Sequence, residues 1–234
     1  MGNMMENLAA GSSYFGIALS LLAYLVGLAL QKRFKKGICN PLLISILLVI
    51  AVLLLTGVEY GTYDLSARYL GYLLTPTTIC LAVSLYRKLT LLRQNLWAII
   101  GGITSGVVTS MGSVCLLSFA FGLDHSMYVT LLPKSITTAI GMGISEEFGG
   151  VVTITVAVII LTGVLGNIIC RSVCRLCGIT DPVACGIAIG TASHAIGTSK
   201  AMELGETEGA MSSLSIAVSG LITVALASVF AGLI

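Results

Sequence analysis

The chain has 234 residues, 56% of them hydrophobic and only 9% charged, with a net charge of +2 and a mean hydropathy of +1.04. Soluble domains carry about a quarter charged residues and just under half apolar ones, so this composition indicates an integral membrane protein. The small net charge, and the lack of a basic stripe with interleaved aromatics, exclude a nucleic-acid binder.

The N-terminal stretch MGNMMENLAAGSSYFG has no positive segment ahead of its apolar run and no small-residue cleavage site. The first run, about 8–30, therefore reads as a retained helix and not a signal peptide. A span needs ~20 apolar residues, and the runs at 39–57, 96–123, 150–170 and 210–234 also qualify. Three further segments, 69–86, 127–148 and 183–204, are apolar but interrupted by Gly, Pro, Ser, Thr or charge. The expectation is an all-α polytopic membrane protein, a single domain over 1–234. It has about seven to eight membrane segments, some interrupted or re-entrant, in a carrier-like arrangement with inverted repeats.

Asn40–Pro41 and Asp181–Pro182 each offer a capping side chain followed by a proline suited to the first helical position. Gly149–Gly150 separates two elements. The stretches QKRFKK (31–36), RKLTLLR (87–93) and RSVCR (171–175) concentrate Lys and Arg and are placed in the cytoplasm. Residues 124 and 149 then both lie outside. The segment between them is too short to cross twice, so it is expected to be a re-entrant hairpin or paired half-helices, buried in protein or lining a cavity. Residues 183–204 form either a second such hairpin from the inner face or one broken span. A short echo between LLTPTTICLAVSLY (73–86) and LLPKSITTAIGMGIS (131–145) suits repeated halves with interrupted helices.

Charges at membrane depth are costly and rarely lack a partner or a task. Thr75, Thr77 and Thr78 surround Pro76, and Lys134, Ser135, Thr137 and Thr138 follow Pro133. A lysine beside hydroxyls at a helix break suits a small carboxylate. The alternative is a lysine snorkelling to headgroups. Ser193, His194, Thr198, Ser199, Lys200 and Glu203 make a second polar group. His194 is a candidate proton carrier, or else a donor to a carbonyl at a break. Lys200 and Glu203 are spaced to pair.

The seven cysteines fit small buried hydrophobes better than a disulfide framework. The C-x-x-C at Cys174 and Cys177 lacks the second pair or histidine that a metal site needs, and no cofactor is expected. GITSG (102–106), GIAIG (186–190) and GETEG (205–209) have small-xxx-small spacing, which in the first two suits close helix approach. H-E-x-x-H, G-x-S-x-G and P-loop motifs are missing, so no enzyme is predicted.

Three stretches together, LLTPTTICLAVSLYRK (73–88), LLPKSITTAIGMGISEEFGG (131–150) and DPVACGIAIGTASHAIGTSKAMELGETEGAMSSLSIAVSGLIT (181–223), closely resemble the LrgB/CidB family of bacterial membrane proteins. The resemblance runs from about residue 70 to the C-terminus, and 181–219 is its most specific part. It implies a bacterial plasma-membrane protein with one of two functions. One is an antiholin-like partner of a small LrgA/CidA-type membrane protein, modulating murein hydrolase activity and cell lysis. The other is transport, as in the similar plastid glycolate/glycerate translocator and in relatives linked to pyruvate uptake. Ala139 and Gly141 depart from the family, where a proline often follows the Thr-Thr pair.

The expectation is thus a secondary carrier, or carrier subunit, for a small monocarboxylate such as pyruvate, glycolate or glycerate. It would work as a homo- or hetero-oligomer with an LrgA/CidA-type partner. Thr77, Thr78, Lys134, Ser135, Thr137 and Thr138 are the expected carboxylate ligands, faced by Ser193, His194, Thr198 and Lys200.

Overall fold

The structure is a computed structural model and describes residues 12, 14–34, 41–73, 76, 79–80, 83, 86–87 and 89–234. Every regular element among the described residues is helical. The chain divides into two compact units, Met1–Cys80 and Leu81–Ile234.

In the first unit, α1 (Phe15–Phe34), α2 (Pro41–Thr56) and α3 (Tyr60–Ala67) are followed by a 3₁₀ turn over Arg68–Leu73. Pro41 opens α2, where a missing N–H costs nothing. Gly27 of α1 has no side chain to hold off the Pro41 backbone, whose Cα a Cβ would meet at 2.9 Å. Ser66 accepts from the Gly16 N–H at 2.7 Å, and Ser20 and Tyr63 share a hydrogen bond of 2.7 Å. Leu22, Leu25, Leu54 and Leu55 point outward and exposed, as lipid-facing side chains do.

The second unit holds α4 (Leu89–Gln94), α5 (Leu96–Phe121), α6 (His125–Leu131), α7 (Thr138–Glu147), α8 (Val152–Leu176), α9 (Pro182–Leu204) and α10 (Glu206–Ala231). Four described helices are long and apolar enough to cross a membrane: Phe15–Arg33, Leu96–Phe121, Val152–Leu176 and Glu206–Ala231. Pro41–Thr56 is shorter. The segment 69–86, the first half of the sequence echo, falls largely outside the described residues.

α5 ends at Gly122, whose left-handed φ of 63° lets the chain turn at once. Asp124 then caps α6, accepting from the Met127 N–H at 2.9 Å. Pro133 cannot continue the ladder, and the chain leaves helix geometry until Thr138. The two ends of this element meet: Ser126 Oγ donates to the Gly149 carbonyl at 3.1 Å, and the Val151 N–H to Thr130 Oγ1 at 2.7 Å. Residues 125–148 therefore form a closed helical hairpin whose two ends lie together.

α9 folds back as well. Asp181 accepts from the Ala184 N–H at 2.9 Å, and Pro182 takes the first turn. At His194 the backbone reverses (φ 42°, ψ −141°). A Cβ on Gly197 would lie 3.3 Å from the Ile189 carbonyl oxygen, and Cys185 and Leu204 both pack on one cluster of Cys170, Ile189 and Ala201. Eight to nineteen residues separate these partners, which a straight helix would hold ~12–28 Å apart at its 1.5 Å rise. Of the two arrangements left open for 183–204, the structure has the hairpin.

The first arm of this second hairpin runs beside α5 in the same direction, with Ile187 over Gly102 and Thr191 over Gly106. It runs against α8 in the opposite direction, from the Cys185–Cys174 sulfur contact at 3.4 Å to Ser193 on Gly166. α5 and α8 are thus antiparallel. The hairpins enter from opposite ends of the unit, and their tips stop about halfway along α5 and α8. Gly186 and Gly190 bring α9 onto the Glu208 and Ser212 backbone of α10, the close approach that GIAIG announces. The core between them is a stripe on α5, with Ile99, Ile103, Val107, Met111 and Val114 against Tyr128, Leu132 and Met211.

Candidate functional site

Between the two hairpin tips lies a cavity of about 1020 Å³, walled by α5, α8 and both hairpins. Lys134 and Ser135 come from the first tip, and Thr191, Ala192 and Ser193 from the second. Pro133 places Lys134 here by ending α6 one turn short. The Lys134 ammonium donates to Ser110 Oγ and Ser135 Oγ, each at 3.1 Å, and these two hydroxyls share a bond of 2.9 Å. An ammonium has three N–H donors. Two are bound to serines, and the third is left for a ligand.

The wall is otherwise mixed. α5 contributes Ser105, Thr109, Ser110 and Ser113, while Ile99, Leu165, Ile169, Val183 and Ile187 supply apolar surface. Asn95 and Asp181 stand at the end where the second hairpin begins. One fixed cation, several hydroxyls and apolar flanks suit a small monoanion.

The predicted residues separate. Lys134, Ser135 and Ser193 line the cavity. Thr137 precedes α7 and Thr138 opens it, and neither is on the cavity wall. Thr77 and Thr78 lie outside the described residues, as does Thr75. Lys200 pairs with Glu203 and stands off the wall. Thr198 is buried, donating to the His194 carbonyl at 2.9 Å and sharing a 2.7 Å bond with Ser212.

His194 is buried behind the tip and does not line the cavity. Its Nε2 lies 3.0 Å from the Ile159 carbonyl, which only accepts, so Nε2 carries the proton. The ring rests on Gly163: a Cβ there would sit 2.8 Å from Nε2. A non-glycine residue at φ 42° is strained by about 1–3 kcal/mol. Ring docking on Gly163, together with the Asn167 Nδ2 bond to the Ile196 carbonyl at 2.8 Å, holds the turn in place.

Sequence reasoning missed the α5 hydroxyls and Thr191. Ser105, Thr109 and Ser113 recur every fourth residue, a one-face stripe inside a run read only as apolar. That spacing was the available signal.

The LrgB-like family matches residues 20–233. The chain is 37% identical over 207 residues to the holin-like protein CidB of Staphylococcus epidermidis strain ATCC 35984, covering 88% of this chain and 90% of that protein. The same figures hold for the CidB of strain ATCC 12228. No solved structure matches the chain. Extent and identity together settle the assignment: the chain belongs to the LrgB-like family and is a multi-pass bacterial membrane protein.

Proposed function

We propose that this chain is a secondary carrier, or carrier subunit, for a small monocarboxylate such as pyruvate, glycolate or glycerate. We take 1–234 as one membrane domain that works with an LrgA/CidA-type partner. The observation that carries this reading is Lys134, held by Ser110 and Ser135 at a hairpin tip, with one N–H free toward a cavity between two opposed hairpins. Interrupted helices meeting at mid-depth, in units of inverted direction, are the usual seat of a transported ion or solute. With RSVCR cytoplasmic, the Asn95–Asp181 end faces the cytoplasm and the cavity is inward-facing. The carboxylate would enter at the third Lys134 N–H, draw the ammonium toward itself, and take the Thr109, Ser113 and Ser193 hydroxyls. The buried His194 would act mainly as the anchor of the second tip.

The test is uptake of radiolabelled pyruvate, glycolate and glycerate into proteoliposomes under imposed ion gradients, with and without the partner. Saturable uptake that Lys134→Met abolishes is expected. No uptake of any of the three, with the partner present, refutes the carrier. The second reading is an antiholin-like regulator of a holin-type partner, acting on murein hydrolase activity and lysis. The name of the relatives, holin-like protein, favours it. It predicts that lysis phenotypes survive Lys134→Met.

A further inference from the structure

Behind Lys134 lies a second, much smaller cavity of about 10 Å³. Space of that size admits a single water-sized sphere. Ser110, Ser135 and Thr191 line both cavities and form the wall between them, while Ser219 and Thr223 of α10 close the far side. Leu132 and Pro133, where α6 gives up its hydrogen-bond ladder, complete it.

Five hydroxyl oxygens converge here, and Thr191 stands out among them. Its side chain is 6% exposed and its Oγ1 is buried with no hydrogen-bond partner. A helical threonine ordinarily returns its hydroxyl to a carbonyl one turn back. Ser219 donates its proton to the Ile216 carbonyl at 3.2 Å, which turns its lone pairs to other use. The set is rich in oxygen lone pairs and holds no carboxylate, and its charged neighbour is the Lys134 ammonium, already bound to two of the five oxygens.

We propose that this small cavity is a sodium site, filled together with the carboxylate. The inference rests on the carrier reading above. Without substrate, Lys134 occupies Ser110 and Ser135, and its positive charge excludes a second cation. A carboxylate in the main cavity draws the ammonium toward itself and releases the two serine oxygens. Those oxygens, with Thr191, Ser219 and Thr223, then coordinate a hard cation of small radius, as oxygen-only sites do. Anion and cation enter as a neutral pair, so each raises the affinity of the other by the same factor. A water-sized hole does not exclude potassium by size; sodium is preferred because its shorter contacts to the hydroxyl oxygens give the stronger attraction.

The experiment uses the full chain in proteoliposomes, with its partner if uptake requires it. Initial pyruvate uptake is read under inward gradients of sodium, potassium or N-methylglucamine, and separately under a proton gradient. Uptake at least tenfold faster in sodium than in potassium is expected. Ser219→Ala and Thr223→Val, outside the main cavity, should each raise the half-saturating sodium concentration at least tenfold. Radioactive sodium should bind purified wild-type protein only when pyruvate is present, and Lys134→Met protein without it. Uptake driven by protons and indifferent to sodium overturns the sodium site and leaves the carrier standing. No uptake under any gradient removes the carrier reading and this inference with it.

Discussion

The docking of the second hairpin tip on α8 gives a prediction independent of any transported molecule. Gly166 faces Ser193 so closely that a Cβ added there would lie 2.5 Å from the Ser193 Cβ, with the hydroxyl nearer still. Neither residue can swing away, because Ser193 is 3% exposed and His194 beside it is pinned to Ile159 at 3.0 Å. Gly166→Ala should therefore overpack the tip at a cost of about 2 kcal/mol, within the usual ~1–3 for a forced methyl. Ser193→Gly alone should cost about 1 kcal/mol in chain entropy. If the clash is the mechanism, the double variant should lose only about 1 kcal/mol instead of the additive ~3, a coupling of about 2 kcal/mol. The measurement is equilibrium unfolding in mixed micelles titrated with SDS and followed by circular dichroism. Additive losses, or a Gly166→Ala protein as stable as wild type, would show that the tip does not sit in this groove.

Other outcomes follow from the same geometry. Lys134→Met should weaken pyruvate binding in nanodiscs by about 10- to 150-fold, the ~1.5–3 kcal/mol of a charged hydrogen bond. Lys134→Arg should not restore it, because a planar fork cannot replace a point charge between two serines. Thr198→Val removes the 2.7 Å bond to Ser212 deep between α9 and α10, and should lower stability by about 1–3 kcal/mol in the same SDS titration. For orientation, a single cysteine at Asp124 in a cysteine-free background should react with an impermeant maleimide from outside the cell. Labelling only from the cytoplasmic side would reverse the assignment of both faces.

What the sequence could and could not announce has physical causes. The first hairpin was legible because Pro133 breaks a helix wherever it falls, and because the basic loops leave residues 124 and 149 on one side. Lys134 was legible because a charge at depth demands a reason. The second reversal was not, because it turns on His194, which carries neither the missing donor of proline nor the freedom of glycine. Its conformation is held by a ring contact with Gly163, thirty-one residues earlier in the chain. The α5 hydroxyls stayed hidden because membrane helices hold serines cheaply: Ser105 donates to the Gly102 carbonyl at 2.9 Å and Ser113 to that of Ser110 at 2.8 Å. Thr137 and Thr138, grouped with Lys134 by their place after Pro133, stand at the start of α7 and are not among the residues lining the cavity.

The two ends of the second unit are closed by different means, and the difference bears on the choice between carrier and regulator. At the end where the first hairpin enters, Thr155 donates to the Thr130 carbonyl at 2.9 Å and meets Ser145 at 2.7 Å, all three fully buried, and Tyr128 donates to the Phe230 carbonyl at 2.7 Å. At the opposite end, Asn95 and Asp181 flank the cavity, and the second hairpin is held to α8 by glycine contacts, the His194 bond to Ile159 and the Asn167 bonds to Ile196 and Ser199. The main cavity reaches the second of these ends, at Asn95 and Asp181. A carrier needs that state and its mirror image, and the inverted placement of α5 with the first hairpin and α8 with the second supplies elements that could exchange those roles. In the proposed carrier, such an exchange would require the Thr130–Ser145–Thr155 bonds to break while the second tip closed on α5. The balance between the two proposed states would then be set where those hydroxyls are buried, about half the length of α8 away from the Ser193 tip.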